Sequence, residues 1–294
     1  MRSALPVILK ILSWISFFIY LIVFIIIISY LISKSGSAFS LESIFGDADP
    51  FQAILLKEPV FDGLFPAIFG TLSLVIVSIS IAVPLGVSCG VWLSEYAKGW
   101  LYKFISVFLD ILSGLPSIVI GLFGLSIILV FHEYFPEKNP GFSILVSSCA
   151  LALVVLPYIA RSTETSLNSL NHSLRLSVLS LGASRIETIR YVLLPNAFPS
   201  IFSGILLSIA RCAEDTAVIM LTGAVASAGI PHGIMERFEA LPFFIYYTSS
   251  EYGSAKELGR AFDAALILII IVFFLFILSF ISNKIALRGV KRAS

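Results

Sequence analysis

The sequence predicts an all-α, polytopic membrane protein with six transmembrane helices. Three observations predict it. Hydrophobic residues make up 58% of the 294-residue chain and charged residues only 13%, and the mean hydropathy is +1.02; a water-soluble chain of this length cannot bury so much apolar surface. The apolar residues fall into long runs, each near the roughly 20 residues that a helix needs to cross a ~30 Å hydrocarbon core. Lys and Arg favour alternate connections between those runs, as the positive-inside rule requires.

The six runs are about 8–32, 64–94, 104–131, 143–162, 199–226 and 263–284. The first, from Pro6 to Ile32, exceeds the ~7–15-residue apolar core of a signal peptide. It reads as a retained span, although Ser35, Gly36, Ser37 and Ala38 imitate a cleavage site. The second and third are interrupted at Pro84-Leu85-Gly86 and at Gly114-Leu115-Pro116. Proline removes a backbone donor, so each interruption predicts a bend, which membranes tolerate in protein-buried or cavity-lining backbone.

With the N-terminus inside, the cytoplasmic side receives Arg2, Lys10, Lys98, Lys103, Arg161, Arg175, Arg185, Arg190, Lys284, Arg288, Lys291 and Arg292. The outer side receives Lys34, Lys57, Lys138, Arg237, Lys256 and Arg260. Both termini and the Gly182 connection are therefore expected in the cytoplasm. The outer loops are acidic, with Glu42, Asp47, Asp49, Glu58 and Asp62 in the first and Glu236, Glu239, Glu251 and Glu257 in the last. Residues 33–63 and 227–262 are long for mere connections and read either as docking surface or as caps over the spans. Cys89, Cys149 and Cys212 lie far apart in apolar runs, without metal spacing, and read as packing residues.

The polar connection after the fourth run has its own grammar. Thr163 to Leu181 reads as a helix continuing that span. Gly182 ends it with a left-handed turn. Ser184 then caps a new helix, and Glu187 completes a Ser-x-x-Glu capping box. Ile186, Ile189 and Leu193 share one face, and Pro195 is expected to stop the helix after Leu194. The product is a short helix held crosswise to the bundle, whose apolar stripe either fits a groove in a partner or packs on its own bundle.

Arg211, Glu214 and Asp215 sit within the apolar fifth run. A charge near mid-bilayer costs at least ~2.5–3.5 kcal/mol, so the cluster must face a cavity or the bundle interior. Helical spacing lets Arg211 pair with either acid. The cluster is either a structural ion pair or an anion site, in which a planar guanidinium meets an oxyanion and an acid neutralises it when the site is empty.

Gly182, nine residues, Val192, Leu193 and Leu194-Pro195 resemble the second half of the ABC-importer permease signature: Glu-Ala-Ala, three residues, Gly, nine residues, Ile, one residue, Leu-Pro. Leu176, Ser177 and Val178 stand where Glu-Ala-Ala is expected. The run Ala210-Arg211-Cys212-Ala213-Glu214-Asp215-Thr216-Ala217 resembles the Ala-Arg-x-x-Gly-Glu-Thr-Ala motif of the PstA family of phosphate-importer permeases. Asp215 takes the glutamate position and Glu214 replaces the glycine. Gly114-Leu115-Pro116-Ser117-Ile118-Val119-Ile120-Gly121-Leu122-Phe123-Gly124 is similar to that family's Gly-x-Pro-Ser-Ile-Val-x-Gly-Leu-Phe-Gly. Ser94-Glu95-Tyr96-Ala97, and Leu241-Pro242 with Ile245-Tyr246, match as well.

The resemblance covers about residues 63–284 and implies a type I ABC importer permease fold. It divides the chain into an N-terminal helix with its outer loop (1–62), a permease core (63–284) with a cytoplasmic coupling loop at about 163–198, and a tail (285–294). It implies a substrate path at Arg211, Glu214, Asp215 and Thr216. It implies coupling through Gly182, Ala183, Ser184, Glu187, Leu194 and Pro195. Gly114, Pro116 and Ser117 form either a kink beside the path or plain packing. The implied partners are a homologous PstC-like permease, a PstB-like ATPase dimer, a PstS-like phosphate-binding protein and membrane lipid, with no nucleic acid. No phosphate-binding Gly-x-x-x-x-Gly-Lys-Ser/Thr loop occurs in the chain. ATP and Mg are thus expected on the partner ATPase, with no cofactor, metal or catalytic residue here. The expected function is that of the permease subunit of an ATP-driven phosphate importer in the bacterial cytoplasmic membrane. The alternatives are a permease for molybdate or sulfate, or a proton-coupled secondary transporter using the same three charges.

Overall fold

The computed structural model describes residues 4–35, 40–46, 63–134 and 141–293. The predicted acidic positions Asp47, Asp49, Glu58 and Asp62, together with Lys57, Lys138 and Arg2, lie outside the described residues. Among the described residues, six helices are long and apolar enough to cross a membrane. Among the described residues no strand forms, and the one isolated bridge joins Ala224 and Phe238.

In chain order the helices are α1 (Ala4–Lys34), α2 (Leu41–Phe45), α3 (Phe65–Glu95), α4 (Gly99–Gly114), α5 (Ser117–Tyr134), α6 (Ile144–Asn168), α7 (His172–Ser180), α8 (Arg185–Glu214), α9 (Ala217–Thr222), α10 (Leu241–Glu251) and α11 (Ala255–Ala293). The core forms where α3, α6, α8 and α9 meet, around Leu74, Leu151, Val155, Ile159, Val218 and Ile219. Lipid tails are as apolar as Leu, so close backbone approach, more than water exclusion, holds such helices together. Gly86 and Gly90 provide it between α3 and α6. A Cβ on Gly86 would lie 2.8 Å from the Ile159 Cβ, and one on Gly90 would lie 2.5 Å from the Ala160 carbonyl oxygen. We expect Gly90→Val to destabilise the subunit by the ~1–3 kcal/mol of an overpacked core, read as a lower melting temperature in detergent; an unchanged value would show that α3 and α6 have room to part.

Four sequence expectations are corrected. The third run is two helices. The chain is extended at Leu115 (φ −71°, ψ 132°), so α4 ends at Gly114 and only α5 is long and apolar enough to span. Pro84 lies inside α3 without interrupting it. The fourth span does not continue to Leu181: α6 ends at Asn168, and α7 starts afresh after a turn at 169–171. Pro195 does not stop its helix. Residues Thr188–Leu193 widen into a π-helical segment, in which the Leu194 N–H reaches the Ile189 carbonyl, five residues back. That register absorbs a proline that would clash with an α-helical carbonyl. The Asn196 side chain donates to the Val192 carbonyl at 2.7 Å. Helix α8 then runs unbroken to Glu214.

Residues 223–240 fold back as a cap on their own bundle. Ile144 and Leu145 donate backbone N–H groups to the Glu236 and Ile234 carbonyls at 3.1 and 2.8 Å, and Phe238 is fully buried. At the same end Asp263 of α11 is buried and accepts from the Ser35 and Ser43 hydroxyls at 2.5 and 3.0 Å. This end therefore gathers the end of α1, the starts of α3, α6 and α11, and α9. The opposite end gathers Glu95, Asn168, α7 and Arg185.

Candidate functional site

Helix α8 breaks inside the apolar fifth run. Asp215 is extended (φ −74°, ψ 116°), and α9 restarts at Ala217. The break decides which acid meets Arg211. Only Glu214 remains on the same helix, and its Oε1 lies 3.2 Å from Arg211 Nη1. Asp215, the other acid that helical spacing offered, does not pair with Arg211. Asp215 is buried, and its Oδ1 accepts the Val218 backbone N–H at 3.0 Å, satisfying one of the donors that the start of α9 leaves open. Thr216 stands half-buried at the start of α9. Non-helical backbone at membrane depth is tolerated where protein or a watery cavity surrounds it. The Arg211 and Glu214 side chains are 43% and 57% exposed. They face out of the subunit, not into its own interior as expected.

The Gly114–Ser117 link opens α5, and Gly114 and Pro116 are exposed. One turn further on, Gly121 rests against Ala217 and Val218 of α9: a Cβ there would lie 3.1 Å from the Val218 Cα. The link and the break therefore share one neighbourhood, joined through α5 and α9.

At the other end of α8, Gly182 has φ +86°, the left-handed turn its sequence context predicts. The capping box is complete: Ser184 Oγ accepts the Glu187 N–H at 3.3 Å, and Glu187 Oε2 accepts the Ser184 N–H at 2.8 Å. Ala183 is half-buried between the two. Ile189 and Leu193 pack inward against Leu167, Ala197 and Ile201, while Ile186 stays exposed. The stripe thus anchors α8 to its own bundle. The exposed apolar surface at this end comes instead from Leu176 and Leu179 of α7 with Leu181, Ile186 and Tyr191. Losing a helix N-cap costs about 0.5–2 kcal/mol. Ser184→Ala is therefore expected to lower the subunit's melting temperature in detergent by a few degrees; an unchanged value would show that the cap contributes nothing.

Sequence reading missed two charge clusters. Arg161 donates to Glu164 Oε2 at 2.8 Å, to Asp110 Oδ1 at 2.6 Å and to the Ser106 hydroxyl at 2.6 Å, tying α4 to α6; Tyr102 donates to Glu164 Oε1 at 2.9 Å. Arg175 pairs with Glu95 at 2.8 Å. In the sequence, both arginines counted only as inside charges, and Asp110 and Glu95 lie 51 and 80 positions from them. At the capped end, a cavity of about 510 Å³ is lined by Val225, Ser227, Glu239, Phe243, Tyr247 and Arg260 among others. Burial pushes the Glu239 carboxyl above the usual range, opposed by the N–H groups of Gly229 and Ala228.

Residues 82–292 match the family described as binding-protein-dependent transport system inner membrane component. The chain belongs to this family. Its match begins within α3, at residue 82, and takes in the helices that follow, including the π-helical entry and the break in α8. Among relatives, the phosphate transport system permease protein PstA of Mycobacterium leprae is 36% identical over 74% of this chain and 69% of its own. The probable ABC transporter permease protein YqgH of Bacillus subtilis is 31% identical over 76% and 72%. The fold of this importer permease is similar to that of a bacterial alginate ABC transporter (TM-score 0.66, 15% identity, covering 94% and 95% of the two chains). It is likewise similar to that of the MetNI methionine ABC transporter (TM-score 0.60, 19% identity, covering 81% and 99%). An all-helical, multi-pass inner-membrane permease is thereby established.

Proposed function

We propose that the chain is the permease subunit of an ATP-driven inorganic phosphate importer. The observation that carries this reading is the outward-facing Arg211–Glu214 pair at the broken end of α8, in a chain whose relatives include several phosphate transport system permeases. A guanidinium supplies a permanent charge and a planar fork for an oxyanion. The pair faces out of the subunit, so the path is completed by a second, PstC-like permease on that face. Glu214 holds the arginine while the site is empty, and Asp215 and Thr216 shape the turn behind it. Gly114, Pro116 and Ser117 give α5 its independent direction beside the path.

The Gly182 end is the cytoplasmic end, in line with the Lys/Arg bias, and both termini share that side. There the exposed apolar residues of α7 and the turn at Gly182, Ala183, Ser184 and Glu187 meet a PstB-like ATPase dimer, which holds ATP and Mg. Leu194 and Pro195 carry the connection into the span. A PstS-like binding protein delivers phosphate at the opposite end. Residues 63–284 act as the transport core. Helix α1 flanks it, and residues 285–293 extend its last helix.

Phosphate uptake in cells tests the reading. Cells producing the whole complex should take up phosphate after the proton gradient is collapsed and lose uptake when ATP is depleted. Uptake that follows the proton gradient and ignores ATP would make this a secondary transporter. Orientation is checked separately by impermeant thiol labelling in a chain lacking Cys89, Cys149 and Cys212. Cysteine at 251 should label from outside and cysteine at 185 only after permeabilisation. External labelling at 185 would overturn the orientation.

A further inference from the structure

Helix α7 has no buried residue of its own. It is held to the bundle by the partly buried Leu174, against the Leu167 cluster, and by one guanidinium. The Arg175 Nη2 and Nε atoms donate to Glu95 Oε1 at 2.8 and 3.2 Å. The same Nη2 donates to the Leu167 carbonyl at 2.6 Å, and Nη1 to the Leu170 carbonyl at 3.0 Å. The Arg175 and Glu95 side chains are only 17% and 8% exposed.

The electrostatics explain why an arginine stands here. Glu95 is the last residue of α3, and Leu167 lies in the last turn of α6. A helix C-terminus carries partial negative charge and unsatisfied carbonyls, so an acid there is unfavourable and a cation favourable. Arg175 neutralises Glu95 and caps the end of α6 at once. A lysine offers one compact charge and cannot reach both helices in the same geometry. On the neighbouring side Arg185, at the start of α8, donates to the Glu95 backbone carbonyl and lies over the Tyr96 ring at 4.7 Å.

We propose that Arg175 is the positioning residue that transmits movement of α7 to α3 and α6. The proposal rests on the importer reading above. The surface that α7 leaves exposed carries Leu176 and Leu179 among the polar His172, Ser173, Ser177 and Ser180. A push there has Arg175 as its stiff connection to the membrane helices. Helices α3 and α6 are locked together at Gly86 and Gly90, and α6 touches α8 where Ser162 meets Gly204. Helix α8 carries Arg211 at its far end. The strut therefore joins the partner-facing helix to the helix that bears the anion site, through close helix–helix approaches at Gly86, Gly90 and Gly204.

A structural role and a transmitting role make different demands, and the coupling ratio of phosphate moved per ATP hydrolysed separates them. The complex is reconstituted with wild-type chain, with Arg175→Lys, and with the double change Arg175→Gln and Glu95→Gln. The double change leaves neither partner as an uncompensated buried charge. Both variants should assemble with the ATPase and retain its hydrolysis, with the ratio falling about tenfold, the size of a typical coupling contact. A wild-type ratio in either variant would overturn the proposal. Equal losses of hydrolysis and uptake in both would also overturn it, leaving Arg175 a stabilising residue. If the wild-type complex moves no phosphate, the importer reading itself has failed; that result is distinct from either outcome for Arg175.

Discussion

Arg211→Gln is expected to abolish phosphate uptake without preventing assembly. Glutamine keeps reach and hydrogen bonding but removes the charge. A charge-assisted contact is worth ~1.5–3 kcal/mol, so losing it should take uptake down by one to two orders of magnitude, to the background of the assay. Arg211→Lys should recover little, because the fork is lost. The exposure of Arg211 makes this test clean: at 43% exposed it contributes little to the subunit's own packing. The pairing with Glu214 also supplies the control. If the pair were merely structural, Arg211→Gln with Glu214→Gln would restore uptake, since no acid would be left unpaired. Transport at the wild-type rate by that double variant would end the anion-site assignment. Glu214→Gly alone should keep uptake and lower the apparent KM, because the anion no longer competes with a tethered carboxylate for Arg211. Asp215→Asn should act differently, through the start of α9, where Asp215 accepts the Val218 N–H.

Gly182→Val should uncouple the complex. Gly182 sits at φ +86°, with nothing within 4 Å of the position a Cβ would take. The penalty is therefore in the backbone alone. A left-handed residue with a Cβ costs roughly 1–2 kcal/mol, more when β-branched. Relief of that strain rotates α7 against α8 and moves the exposed apolar residues on the two sides of the turn. Membrane insertion and the contacts at Ile189 and Leu193 remain, so the variant should reach the membrane at normal abundance, hydrolyse ATP and move at least ~10-fold less phosphate per ATP, a coupling-sized loss. Undiminished uptake would remove the Gly182 turn from the coupling mechanism.

The number of spans was legible because hydrophobic length is a strong signal that needs no tertiary contact, but the bounds of the third and fifth were not: they are Ser117–Tyr134 and Arg185–Glu214. Gly182 and the Ser184–Glu187 box were legible for the same reason, since turns and caps are written in adjacent residues. Interruptions were harder to read. A proline announces a missing donor but not how the backbone absorbs it: Pro84 is carried within α3, Pro116 separates α4 from α5, and Pro195 is accommodated by a π-helical segment. The break at Asp215 has no proline or glycine to mark it, so helical spacing leaves both acids open to Arg211 and only the structure selects Glu214. The fate of the Ile189 and Leu193 face was equally hidden, because an apolar stripe does not say whether it covers its own chain or another. The Arg175–Glu95 and Arg161–Asp110 pairs join residues far apart in sequence and depend on helix packing that only the assembled fold defines.

The most direct test of the central claim is phosphate uptake by proteoliposomes containing this chain together with the second permease, the ATPase and the binding protein, with ATP supplied to the ATPase side. The account predicts uptake that requires ATP, is absent when this chain is omitted or carries Arg211→Gln, and resists excess molybdate and sulfate. Uptake of phosphate by this chain alone under a pH gradient, or an ATP-driven complex that carries molybdate or sulfate in preference to phosphate, would contradict it.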